Sequence, residues 1–104
     1  MQISKLMEFA MNLRQAFGKA FSHARKSKGL TQEAFEPTAR SYISYIERGL
    51  SSPTLEKLHD LSKVMGVHPA SLVFQAYLAF DKDTSALELM SLIMEDLKKL
   101  DKLG

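Results

Sequence analysis

Between Leu13 and Lys28, apolar side chains fall at Leu13, Ala16, Phe17, Ala20, Phe21 and Ala24. Spacings of three and four put them on one face of a helix, because a turn takes about 3.6 residues. Gly29 supplies the left-handed conformation that closes such a helix. Thr31 has a capping side chain for a short second helix, T-Q-E-A-F-E, which Pro37 stops by disfavouring helical backbone before it. A third helix is predicted from about Ala39 to Arg48, ending at Gly49. Ser52-Pro53 predicts the start of a fourth, with serine as cap and proline at the first helical position, where no N–H is needed. Leu55, Leu58, Leu61, Val64 and Met65 form its apolar stripe, and Gly66 ends it. Pro69 opens a fifth helix carrying Leu72, Val73, Ala76, Tyr77 and Phe80. After the linker D-K-D-T, Ser85 and Glu88 have the spacing of a capping box for a last helix.

No segment alternates with a period of two, so the pattern predicts an all-α protein. Phe17, Phe21, Leu30, Phe35, Ile43, Ile46, Leu55, Leu58, Leu61 and Met65 are its expected core. Three segments follow: an N-terminal helical extension (1–12), a five-helix domain (13–80) and a C-terminal amphipathic helix (84–104). In the extension, Ile3, Leu6, Met7 and Ala10 continue a helical stripe.

Composition removes several alternatives. Cysteine is absent, which excludes a disulfide framework, a thiolate metal site and a cysteine nucleophile. The first residues are interrupted by Lys5 and Glu8, unlike a secretory signal. The apolar run from Leu72 to Phe80 contains Gln75 and is too short to span a bilayer. A soluble cytoplasmic protein is expected, with no membrane association. His23, His59 and His68 are scattered and predict no metal or other cofactor site. His59, Asp60 and Ser62 are triad residue types, but they sit side by side on one helix with no nucleophile turn, and no enzyme activity is expected. The net charge of +2 is uneven: residues 1–60 hold nine Lys/Arg against six Asp/Glu, residues 61–104 five against six. A basic first half hints at an anionic partner.

The third helix carries the most specific information. Ala39, Ile43 and Ile46 share one face, with Glu47 at its edge. Arg40, Ser44 and Arg48 lie four apart on another, with Ser41 and Tyr45 beside them. One side is greasy and the other is rich in hydrogen-bonding groups. The run G-L-T-Q-E-A-F, then R-S-Y-I-S-Y-I-E-R-G, S-P-T-L-E-K-L and L-S-K-V-M-G-V-H-P, resembles the phage-repressor class of helix-turn-helix domains, the Cro/CI or XRE family. The resemblance covers about Leu13 to Leu78.

That resemblance implies a DNA-binding transcriptional regulator with a repressor-like domain, whose third helix enters the major groove of double-stranded DNA. Carried over residue by residue, it implies base contacts by Arg40, Ser41, Ser44 and Tyr45. It implies phosphate contacts by Gln32 with Thr31 at the preceding helix N-terminus, and by Tyr42, Arg48 and the Ser51-Ser52 loop. It also implies a structural ion pair between Arg25 and Glu47. The sequence departs from the family in one place: E-P-T-A replaces a stretch about three residues longer, so the first motif helix is expected to be short. Thr38 is the expected cap of the recognition helix, and Ser41 the alternative.

In the last helix, Ala86, Met90, Ile93, Leu97 and Leu100 recur at four, three, four and three residues, a heptad seam widened by Leu87, Leu89, Leu92 and Met94. The width predicts packing on both the helix's own domain and a second copy, with Met90, Ile93, Leu97 and Leu100 in a homodimer interface. Such a dimer would bind a palindromic operator, most simply as a repressor, with room for control by a regulatory partner protein. The rival readings are the antitoxin half of a toxin–antitoxin pair using the same motif, and a helical interaction module without DNA binding.

Overall fold

A computed structural model of the protein describes residues 11–101. They form five α-helices: α1 (Leu13–Ser27), α2 (Arg40–Glu47), α3 (Leu55–Met65), α4 (Pro69–Phe80) and α5 (Ala86–Lys99). A 3₁₀ turn, Gln32–Phe35, stands between α1 and α2. Among the described residues there is no strand, and the all-α expectation holds. No helix among them is long and apolar enough to cross a membrane.

α1 begins at a reciprocal cap. Asn12 Oδ1 accepts from the Gln15 amide at 2.8 Å, and Gln15 Oε1 accepts from the Asn12 amide at 3.1 Å. Of the expected helical extension over residues 1–12, residues 1–10 lie outside the described residues, and Met11 and Asn12 are not helical. α1 packs most extensively on α4 and next on α2. Phe17, Phe21, Phe35, Ile43, Ile46, Leu58, Leu61, Met65, Leu72 and Ala76 close into one apolar cluster. Within it the Phe21 and Phe35 rings are tilted at 5.4 Å between centroids, a favoured offset arrangement.

The core departs from expectation on α3. Leu55 is 81% exposed and Val64 is also exposed, while Leu30 is half-buried. The buried stripe is Leu58, Leu61, Ser62 and Met65. The true period of three and four runs through a serine, whose hydroxyl makes no hydrogen bond. Leu55 is the first residue of the helix and lies outside the core. The cap is also displaced: Thr54, not Ser52, accepts from the Lys57 amide at 3.1 Å, so Pro53 precedes the cap. α4 opens at Pro69 as expected, with His68 Nδ1 accepting from the Ala70 amide at 3.0 Å.

Gly18 fixes how α1 meets α2. A Cβ there would lie 2.8 Å from the Glu47 carbonyl oxygen and against that of Ile46. Only glycine permits this approach of helix backbone to the C-terminal end of α2.

α5 is different in kind. Its N-terminus is locked by the expected box, with Glu88 Oε1 accepting from the Ser85 amide at 2.9 Å and Ser85 Oγ from the Glu88 amide at 3.1 Å. The Ser85 amide, and its hydroxyl beside the carboxylate, hold the Glu88 carboxyl below its ordinary pKa. Yet no residue of α5 is buried, which corrects the expectation that one side packs on its own domain. Leu72 and Ala76 of α4 already close the core. A turn at Asp81, whose carboxylate accepts from Thr84 Oγ1 at 2.7 Å, then leads into α5.

Candidate nucleic-acid interface

α2 is only eight residues long, too short to persist in water by itself. Its position comes from what grips it. Ile43 and Ile46 are 0% exposed. At its C-terminal end Glu47 accepts three hydrogen bonds: from Arg25 Nε at 2.6 Å, Arg25 Nη2 at 3.0 Å and Gln32 Nε2 at 3.1 Å. Arg25 Nη1 donates to the Leu30 carbonyl at 2.8 Å. The guanidinium is buried, and its hydrogen bonds to Glu47 raise its pKa and keep it charged. This forked geometry is the strong form of a carboxylate pair. The structural ion pair expected from the resemblance is present, and Gln32 joins it.

The other end of α2 is open. Its cap is Ala39, which offers no side chain, and Thr38 does not cap. Thr38 Oγ1 instead accepts from Lys57 Nζ at 2.7 Å. Arg40 is therefore the first residue of α2, and Ser41 is helical rather than a cap. The preceding element is a four-residue 3₁₀ turn, which is how the chain accommodates the shortened E-P-T-A stretch. The Glu36–Pro37 peptide bond in it is cis.

The expected base-reading side chains come together on the outward face of α2. The Arg40 side chain is 70% exposed, and its Nε lies 3.7 Å from Glu33 Oε2, a loose surface pair with no mark in the sequence pattern. Ser41 is exposed, Ser44 half-buried and Tyr45 47% exposed. The Arg48 guanidinium stacks on the Tyr45 ring at 5.2 Å from its centroid, which keeps an otherwise mobile cation against the helix.

The expected phosphate-binding residues are less uniform. Thr31 is exposed and leads the 3₁₀ turn without a side-chain cap bond. The Gln32 amide is turned inward to Glu47. Tyr42 is half-buried against the core with Lys57 Nζ 5.9 Å from its ring centroid, and burial raises its hydroxyl pKa. Gly49, at φ +75°, closes α2, and Ser51 and Ser52 follow, half-buried and exposed. A side chain at Gly49 would meet Gln15 Cγ at 2.7 Å, so glycine is required for both conformation and space. Among the described residues no cluster of His, Asp and Glu has the arrangement of a metal site.

A helix-turn-helix family model matches residues 23–72. That span runs from the Arg25 side of the clamp, through the 3₁₀ turn and α2, into α4. The chain is 38% identical over 66 residues to an uncharacterised HTH-type transcriptional regulator, y4dJ, of Sinorhizobium fredii, covering 61% of this chain and 86% of that protein. It is 41% identical over 66 residues to control protein C.BamHI of Bacillus amyloliquefaciens, covering 60% of this chain and 82% of that protein. No solved structure matches the chain. Fold, clamp and sequence agree: the chain belongs to the XRE-type helix-turn-helix family of DNA-binding transcriptional regulators and is not an enzyme.

Proposed function

We propose that the protein is a cytoplasmic repressor that binds a palindromic operator as a homodimer. Arg40, Ser41, Ser44 and Tyr45 read base edges in the major groove. Thr31, Gln32, Tyr42, Arg48, Ser51 and Ser52 hold the phosphate backbone on either side. Met90, Ile93, Leu97 and Leu100 form the dimer interface. The observation that carries this reading is the contrast within α2: its inner end is clamped by Arg25, Gln32 and Gly18, while Arg40, Ser41 and Tyr45 project outward. A rigid short helix with an exposed donor face is what direct readout requires. Two copies would meet half-sites about 34–36 Å apart on one face of the duplex. The name of one relative, a control protein, accords with a regulatory role.

Selection of bound DNA from a random library tests the reading. The expected product is an inverted repeat with half-sites one helical turn apart. Its affinity should fall with salt at a log–log slope of about −0.9 per phosphate contacted. A single unrepeated site, or binding indifferent to salt, would refute it. The open apolar face of α5 also supports a second reading, an antitoxin that holds a toxin through this helix. A small protein co-purifying in fixed ratio would favour it.

A further inference from the structure

We infer that two copies pair through α5 in antiparallel orientation, with Ala86 of each helix against Leu97 of the other and Met90 against Ile93. This rests on the homodimer proposed above and adds the orientation, on which the separation of the two DNA-reading domains depends.

Three observations carry it. First, no other element among the described residues covers α5: its large apolar side chains from Leu87 to Leu100 are mostly 39–77% exposed, and none is buried. Its seam of Ala86, Met90, Ile93, Leu97 and Leu100 has the spacing that packs against another helix.

Second, charge opposes the parallel alternative. In a parallel pair, Asp96 flanks the seam beside the next heptad's Asp101, the residue just past the Leu100 cap, which draws two carboxylates together. In the antiparallel register the neighbour of Asp96 is the uncharged Leu89. The ends matter too. Asp81, Asp83 and Glu88 outweigh Lys82 and leave the start of α5 and its approach acidic, whereas at the other end Lys98 and Lys99 balance Glu95 and Asp96. Antiparallel pairing keeps the two acidic starts apart, and parallel pairing brings them together.

Third, the antiparallel arrangement suits the target. Each DNA-reading domain joins α5 at its N-terminal end. A 14-residue helix is about 21 Å long. Antiparallel pairing sends the two domains to opposite ends of that length, in the direction demanded by half-sites about 34–36 Å apart. Parallel pairing would crowd both at one end.

The chain contains no cysteine, so introduced thiols report without background. Ala86→Cys and Leu97→Cys chains, one bearing a size tag, are oxidised separately and mixed. Residues 86 and 97 are eleven apart, or about 16 Å along a helix. A disulfide needs Cα atoms within about 7 Å. The expected result is a disulfide in the mixture and none in either chain alone. Linkage within each variant alone would overturn the antiparallel orientation and leave the dimer standing. A dimer by sedimentation with no linkage in any sample would overturn α5 as the interface. A monomer at every concentration would remove the homodimer reading itself.

Discussion

α2 and α5 are both amphipathic helices, yet they meet opposite fates. α2 is the shorter, and its apolar residues Ile43 and Ile46 are fully buried. α5 is nearly twice as long and buries nothing. An apolar stripe states that a helix requires cover, not who supplies it. For α2 the cover is local and over-determined, by α1, the 3₁₀ turn and the Glu47 clamp. For α5, none of the described residues supplies such cover.

Truncation should separate the two helices most sharply. Ile46→Ala should lower unfolding free energy by about 2–5 kcal/mol, because the vacated space lies in a closed core. Leu97→Ala, on an exposed site, should leave the dilute-protein urea midpoint almost unchanged and lower it only at concentrations where dimers form. If both lose stability equally in dilute solution, the contrast between the helices is wrong.

Next in size is the clamp. Arg25→Ala strands Glu47 in a site where both side chains are about nine-tenths buried. A cost of about 3–5 kcal/mol is expected from a buried carboxylate left unpaired. Denaturant titration measures it, and a loss below about 1 kcal/mol would show a pair no better than an ordinary surface bridge.

The open face of α2 should respond in specificity instead of stability. Arg40→Ala should relax preference at one operator position by about 1–3 kcal/mol with no change in unfolding free energy. Gln32→Ala should weaken binding to all sequences and also cost some stability, since its amide is tied to Glu47. Binding to operator and scrambled DNA separates them, and equal behaviour would mean that the reading face is misassigned.

The smallest effect belongs to the Glu88 cap. Its carboxyl pKa is lower in the folded helix than in the free chain, so the unfolded state binds more protons in acid. Its contribution to α5 is present above the ordinary carboxylate range and fades as pH falls through the lowered folded value. Helicity followed by circular dichroism in Glu88→Gln should therefore depend less on pH at the acid end than in the parent chain.

The sequence was most legible where backbone chemistry leaves marks. Gly66, Pro69 and the Ser85–Glu88 box located helix ends to within a residue. The Arg25–Glu47 pair was reachable only through the family resemblance, since no local rule joins residues 22 apart. Failures arose where tertiary contacts chose among local options. Either Ser52 or Thr54 could cap α3, and Thr54 does. Thr38 could cap α2, but Lys57 takes its hydroxyl. Ser62 lies in a stripe that hydrophobicity could not trace. Gly18 carries a signal of its own in the sequence: an isolated glycine within a helical pattern usually has a packing reason.

The seat of α2 against Gly18 has a wider consequence. The helix is fastened at one end, like a lever held at its fulcrum, and two of the proposed reading residues, Arg40 and Ser41, lie at the free end. Arg40 and Ser41 contribute nothing to the core, so the fold exerts little selection on their identity. On the proposed assignment, drift there rewrites the recognised sequence without a stability toll. The same change at Gly18, Ile46 or Glu47 would unseat the helix from every operator at once. One short element thus divides its residues between those free to diverge and those bound to persist.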